Sequence, residues 1–157
     1  MTSRCKDAAM PRADNNGIEI EYDTIGDPSD EPLLLVMGFT AQLIAWDEKL
    51  CQALADKGYF VIRYDNRDCG LSTHLDGVTI DMAAVLNAAT GNGEIPAVPY
   101  TLSEMASDGM AVLDTLGIER AHVAIVEADD EEPATHERVA EVDVPRTHLR
   151  AQPHHQQ

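Results

Sequence analysis

The sequence predicts an α/β chain with a mostly parallel sheet, and three neighbouring segments carry that prediction. Leu33 to Met37 is a continuous apolar run closed by Gly38, residues 44–57 repeat apolar side chains at helical spacing, and Tyr59 to Tyr64 is rich in β-branched and aromatic residues. Strand, helix and strand in that order form a βαβ unit, because the crossover helix returns the chain to the same end of the sheet.

The first predicted element is a hairpin. Asn15-Asn16-Gly17 supplies residues that tolerate positive φ, and Ile18, Ile20 and Tyr22 then alternate with Glu19, Glu21 and Asp23 as in a half-buried strand. Residues 1–14 read as a flexible N-terminus, with the folded domain expected over 15–126 and a disordered tail over 127–157. After the turn-rich Gly26-Asp27-Pro28-Ser29-Asp30, the run ending at Met37 suits a central strand covered on both faces. In the following helix Trp46, Leu50, Ala53 and Leu54 share a face, and Gly58 sits where a C-terminal cap belongs.

Residues 73–100 carry Gly91, Gly93, Pro96 and Pro99 and read as an irregular connection with room for a short helix from Asp81 to Ala89. Thr101-Leu102-Ser103-Glu104 matches a capping box, in which the Thr hydroxyl and the Glu carboxylate satisfy orphan amides. Leu102, Met105, Gly109, Val112, Leu113 and Leu116 are expected on one face of that helix, which ends at Gly117. Ala121 to Val126 is a short strand. From Glu127 onward there is no Gly, Ser, Lys, Met, Cys or aromatic residue, while acids, Pro and His accumulate. Such a segment has little with which to build a core.

Composition excludes several function classes. With 28 acidic against 11 basic residues the formal charge is −17, which disfavours nucleic acid and anionic membrane surfaces. Cys5, Cys51 and Cys69 are odd in number and widely spaced, so neither a disulfide framework nor a zinc knuckle is indicated. No stretch resembles a signal peptide or a membrane span, and a cytoplasmic location is the expectation.

Leu33-Leu-Leu-Val-Met-Gly38, Trp46, Val61-Ile-Arg-Tyr-Asp-Asn-Arg-Asp-Cys-Gly-Leu-Ser72, Tyr100-Thr-Leu through Leu116-Gly-Ile, and Ala121-His-Val123 together resemble the α/β-hydrolase superfamily. The nearest flavour is its bacterial esterase, lipase-like and epoxide-hydrolase-like group. The resemblance covers roughly residues 15 to 124 and implies an N-terminal hairpin followed by a mostly parallel sheet with crossover helices. It places the strand at Ala121–Val126 beside the one at Leu33–Met37, and leaves it as a sheet edge through which copies of the chain would associate.

In that family the segment after His122-Val123 is the nucleophile elbow, G-x-S-x-G, a strained turn that lifts a Ser above the sheet. Here Ile125 stands in place of the first Gly, Glu127 in place of the Ser and Asp129 in place of the last Gly. The chain also stops short of where the family places its triad acid and His. The resemblance therefore implies an incomplete, truncated α/β-hydrolase fold without a complete catalytic set. A complete member would be a serine ester hydrolase, with Ser attack, a His base, an orienting acid and no metal or organic cofactor.

Gly38-Phe39 corresponds to the oxyanion loop, with the Phe39 backbone N–H as one donor. Asp65, Arg67, Asp68, Gly70 and Ser72 correspond to a structural loop beside it, its charges held in local charge-assisted hydrogen bonds. Ser72 with His74 imitates a nucleophile and base but lacks the elbow glycines. His122 is a strand residue without a catalytic role. His136, His148, His154 and His155, with Glu127, Asp129, Asp130, Glu131 and Glu132, offer metal-ligand atoms without a fixed spacing, so no metal site is expected. Two further readings stand beside the truncated hydrolase. One is a non-enzymatic interaction or scaffold protein. The other is one half of a split enzyme, which would meet a small ester substrate only when joined to a separate C-terminal half.

Overall fold

The computed structural model describes residues 10–38, 41–91, 93–94 and 96–125, together with the backbone of Val139–Ala140. Six strands form one mixed sheet in the order β1-β2-β4-β3-β5-β6. β1 (Arg12–Asn15) and β2 (Ile18–Ile25) are the antiparallel hairpin, closed by Asn16 at φ 56° and Gly17 at φ 87°. Two successive positive φ values make the turn whose twist matches the strands, which is why Asn-Gly serves there. Among the described residues the first strand thus starts at Arg12, within the stretch read as a flexible N-terminus. Ala13 is only 1% exposed and belongs to the core, a contribution a lone alanine does not advertise in sequence.

β3 (Glu31–Val36), α1 (Glu48–Ala55) and β4 (Tyr59–Tyr64) are the expected βαβ unit, and β3 and β4 pair in parallel from Glu31↔Tyr59 to Leu35↔Arg63. The predicted helix over 44–57 is divided: a 3-10 turn at Leu43–Ala45 precedes α1, and the Asp47 carboxylate accepts from Lys49 N at 2.7 Å to start the helix proper. Side-chain alternation explains the unbroken apolar runs. Leu34, Phe60, Ile62 and Tyr64 face one layer with Val112 and Leu113, while Leu33, Leu35 and Val61 face the other with Trp46 and Cys51. Both faces are covered, so these positions are apolar except Arg63, whose charge is paired with Asp23. Each fully buried branched side chain such as Val61 or Ile62 contributes roughly 1.5–3 kcal/mol of burial free energy.

α2 (Met82–Ala89) occupies the stretch where a short helix had room, and none of its residues is buried. α3 (Leu102–Thr115) starts with the expected capping box, Glu104 N donating to Thr101 Oγ1 and Thr101 N to Glu104 Oε2. Leu102 departs from its predicted inward face and is 83% exposed, since the first residue of the helix lies beyond the sheet. Gly109 lets α3 approach closely: a Cβ there would stand 3.3 Å from the Tyr64 hydroxyl. β5 (His122–Ile125) pairs in parallel with β3, as the resemblance implied. Its other side is not the open edge that was expected. β6 (Val139–Ala140) pairs with it antiparallel, so these two residues depart from the expected disordered tail. The remainder of 126–157 lies outside the described residues.

Candidate active site

Sheet topology locates the site before any side chain is considered. From β3 the chain crosses to β4 on one side, and from β4 it returns past β3 to β5 on the other. The strand order therefore reverses between β3 and β5, and in open α/β sheets the crevice beyond the carboxyl ends of such strands is where ligands bind. Those ends lead here into Met37-Gly38 and into Ile125.

Buried polar side chains from the end of β4 hold the rim of this crevice. The Asn66 amide donates to the Met37 carbonyl at 3.1 Å, tying the end of β4 to the end of β3. The Asp65 carboxylate accepts from Leu43 N at 2.7 Å and from Leu71 N at 2.9 Å, joining the segment after Gly38 to the loop after β4. Ala41 N reaches back to the Gly38 carbonyl at 3.4 Å, and the Cys69 thiol lies 3.5 Å from the Ala41 carbonyl. Phe39, expected to offer an oxyanion-loop amide, and Glu127, expected in place of the nucleophile, lie outside the described residues.

The loop from Asp65 to Thr73 folds back on β2. Asp68 (φ 62°) and Gly70 (φ 57°) take left-handed conformations, and a Cβ on Gly70 would overlap the Asp65 carboxylate. Ser72 is 2% exposed; its hydroxyl donates to the Asp65 carbonyl at 2.7 Å and accepts from Glu21 N at 2.9 Å. Both capacities of that hydroxyl are used in holding the loop. His74, its neighbour in sequence, places Nε2 3.0 Å from the Gly70 carbonyl and Nδ1 3.7 Å from Asp68 Oδ1, so it faces the loop backbone instead of Ser72. Asp68 also accepts from Leu75 N at 3.0 Å.

Arg67 does not pair locally as expected. Its guanidinium reaches α3, with Nε on Asp108 Oδ2 at 2.7 Å, Nη2 on Asp108 Oδ1 at 2.8 Å and Nη2 on the Glu104 carbonyl at 3.2 Å. The Tyr100 ring lies over it, its centroid 5.6 Å from Cζ. Asp108 is 1% exposed and also accepts from the Asn15 amide at 2.7 Å. The pair thus ties three distant pieces together: the β1–β2 hairpin, the loop after β4, and α3. Hydrogen bonds that Arg67 donates to Asp108 raise its pKa above the ordinary value and keep the guanidinium charged. Asp108 and Asn66 were missed in the sequence. The signal for Asp108 was present, because it falls with Met105, Gly109 and Val112 on the apolar face of α3, where a charge needs a buried partner.

On the opposite layer Arg63 donates to Asp23 through two nitrogens, and its Nη1 lies 3.4 Å from the Trp46 carbonyl. His122 packs edge-on against Tyr59, with ring centroids 6.2 Å apart, and its Nε2 is 3.9 Å from Glu31 Oε2. Among the described residues no three His, Cys, Asp or Glu side chains are grouped to hold a metal ion. The His and acidic residues of the tail that offered ligand atoms lie outside the described residues. Among the described residues no helix is long and apolar enough to cross a membrane.

No family model matches the chain. Among curated proteins it is similar to a rhodomycin D methylesterase of Streptomyces sp. (strain C5), 37% identical over 99 residues covering 63% of this chain and 27% of the relative. A rhodomycin D methylesterase of Streptomyces peucetius is 33% identical over 109 residues, covering 69% of this chain and 30% of the relative. Among solved structures, an α/β-hydrolase fold protein from Chitinophaga pinensis superposes with a TM-score of 0.51 at 26% identity, covering 74% of this chain and 34% of its own. The chain is an N-terminal part of the α/β-hydrolase superfamily. The chain spans less than a third of the length of the two methylesterases it matches.

Proposed function

We propose that residues 12–125 form the scaffold half of a serine carboxylic-ester hydrolase site, and that this chain does not supply its own nucleophile. One observation carries the reading. The β3–β5 switch point is in place, yet the residues leading out of β5 are Ile125-Val126-Glu127-Ala128-Asp129, where the family's elbow requires glycines around a serine. Ile and Asp do not accept the close approach and strained dihedrals of that turn, and a Glu carboxylate is no substitute for an activated hydroxyl. In this reading Gly38 and the Phe39 backbone amide form the oxyanion loop. Asp65, Arg67, Asp68, Gly70 and Ser72 hold it in shape, which accords with the hydrogen bonds that use both capacities of the Ser72 hydroxyl. The methylesterase names of the relatives favour an ester as the substrate class of the completed site.

The test is turnover of short- and medium-chain p-nitrophenyl esters by the purified chain, with a fluorophosphonate probe for any activated serine. Folding of the sample is verified through the fluorescence of the single, buried Trp46. The expected outcome is no turnover above buffer and no adduct. Turnover together with an adduct, at Ser72 or any other serine, would overturn the reading.

A second reading, a non-enzymatic interaction protein, is favoured by the apolar surface along residues 71–102. There Leu71, Val78, Ile80, Met82, Leu86, Val98 and Leu102 are all exposed. It predicts a stable complex with a specific partner that substitutions at Met82 and Leu86 abolish. A complex that survives them removes this alternative.

A further inference from the structure

β5 pairs with β3 through four residues, from Leu33↔His122 to Val36↔Ile125, which uses the backbone groups on one of its sides. The alternate N–H and C=O groups point the other way, and an unpaired row of them is a template for any extended chain. On that side lies β6, in the antiparallel register Val123↔Ala140 and Ala124↔Val139. Residues 126–138 separate the two strands, ample chain for a reversal of direction.

The sequence around β6 has a strand pattern longer than the two paired residues. Ala140, Val142 and Val144 alternate with Glu141 and Asp143, and Pro145 closes the run.

We infer that the outer edge of β5 is a strand-addition site whose occupant is the chain's own β6, Val139–Ala140, and that this contact guards the sheet against edge-to-edge association. Recognition is by main-chain hydrogen bonds, which explains why a segment without aromatic residues suffices.

Residue-resolved amide hydrogen exchange tests this on the full chain and on a V139P/A140P variant, in which proline removes the donors of β6. In the unaltered chain at least one amide of Val139–Ala140 is expected to be protected. In the variant the outward-facing amide of β5 is expected to exchange at least about tenfold faster, while Val61 and Ile62 in the interior strand β4 stay slow. Sedimentation velocity is expected to show the variant associating at a concentration where the unaltered chain is monomeric. Exchange of both Val139 and Ala140 at the rate of an unstructured peptide in the unaltered chain would overturn the inference, and that measurement decides even if the variant fails to fold. A variant that keeps both its β5 protection and its monomeric state overturns it as well.

Discussion

Replacing Asp108 with Ala removes the acceptor of two short bonds from Arg67, at 2.7 and 2.8 Å, and of one from Asn15 at 2.7 Å. The Arg67 side chain is 7% exposed, so its charge is left behind in a site that water barely reaches. Breaking a buried pair from one side costs about 3–5 kcal/mol, mostly the penalty of the stranded charge and not the net worth of the pair. A domain of this size has about 5–15 kcal/mol of stability in all, so D108A should fall close to the threshold of folding. The double variant R67M/D108L removes both charges and fills similar volume, and is expected to recover at least about 2 kcal/mol of the loss. Urea unfolding followed by the fluorescence of Trp46, the single tryptophan, measures the unaltered chain, D108A and R67M/D108L together with the single variants R67M and D108L. If D108A costs less than about 1 kcal/mol, or if the effects of R67M and D108L simply add, the pair is not the clamp inferred from its geometry.

Three further outcomes are expected. Gly70→Ala should destabilise the chain by more than about 3 kcal/mol in the same urea assay, because its Cβ overlaps the Asp65 carboxylate at a positive φ; a shift under about 1 kcal/mol would mean that the loop adapts freely. Burial first, and the Asp108 charge second, push the Tyr64 hydroxyl up to about 12. The unfolded chain loses that proton near pH 10 and the folded chain does not, so stability is full below about pH 10 and falls as pH rises toward 12, by at most about 1.4 kcal/mol per pH unit. Tyr64→Phe should flatten that decline in urea midpoints measured over the range. Iodoacetamide should modify Cys69, which is partly exposed, well before the fully buried Cys51, although burial raises the pKa of both thiols; equal rates would contradict the packing around Cys51.

Local rules made much of this molecule legible in its sequence. Asn16-Gly17 admits the one turn that closes a twisted hairpin, Thr101 and Glu104 satisfy each other's backbone amides, and the runs at Leu33 and Tyr59 lack the polar alternation of a half-exposed strand. Each of these follows from residues within a few positions of one another, so no tertiary information is needed. The string from Arg63 to Ser72 is where the resemblance to the α/β-hydrolase family is most specific, and the relatives and the superposed structure agree with it.

Tertiary structure alone decided what lies far apart in the chain. Arg67 reads locally as the partner of Asp65 or Asp68, but Asp65 is claimed by backbone amides of Leu43 and Leu71 and Asp68 by that of Leu75. The guanidinium therefore finds its charge forty-one residues away on α3. Ala13 gave no sign of its burial because one methyl group carries almost no hydrophobic signal until a sheet and a helix close over it. β6 was hidden for a related reason: acidic composition argues for a solvated segment, whereas pairing with β5 draws on backbone groups that every sequence possesses. Sequence by itself marked most of the elements and carried the resemblance to the family. The fold determined which buried charges meet, and which backbone edge the chain covers for itself.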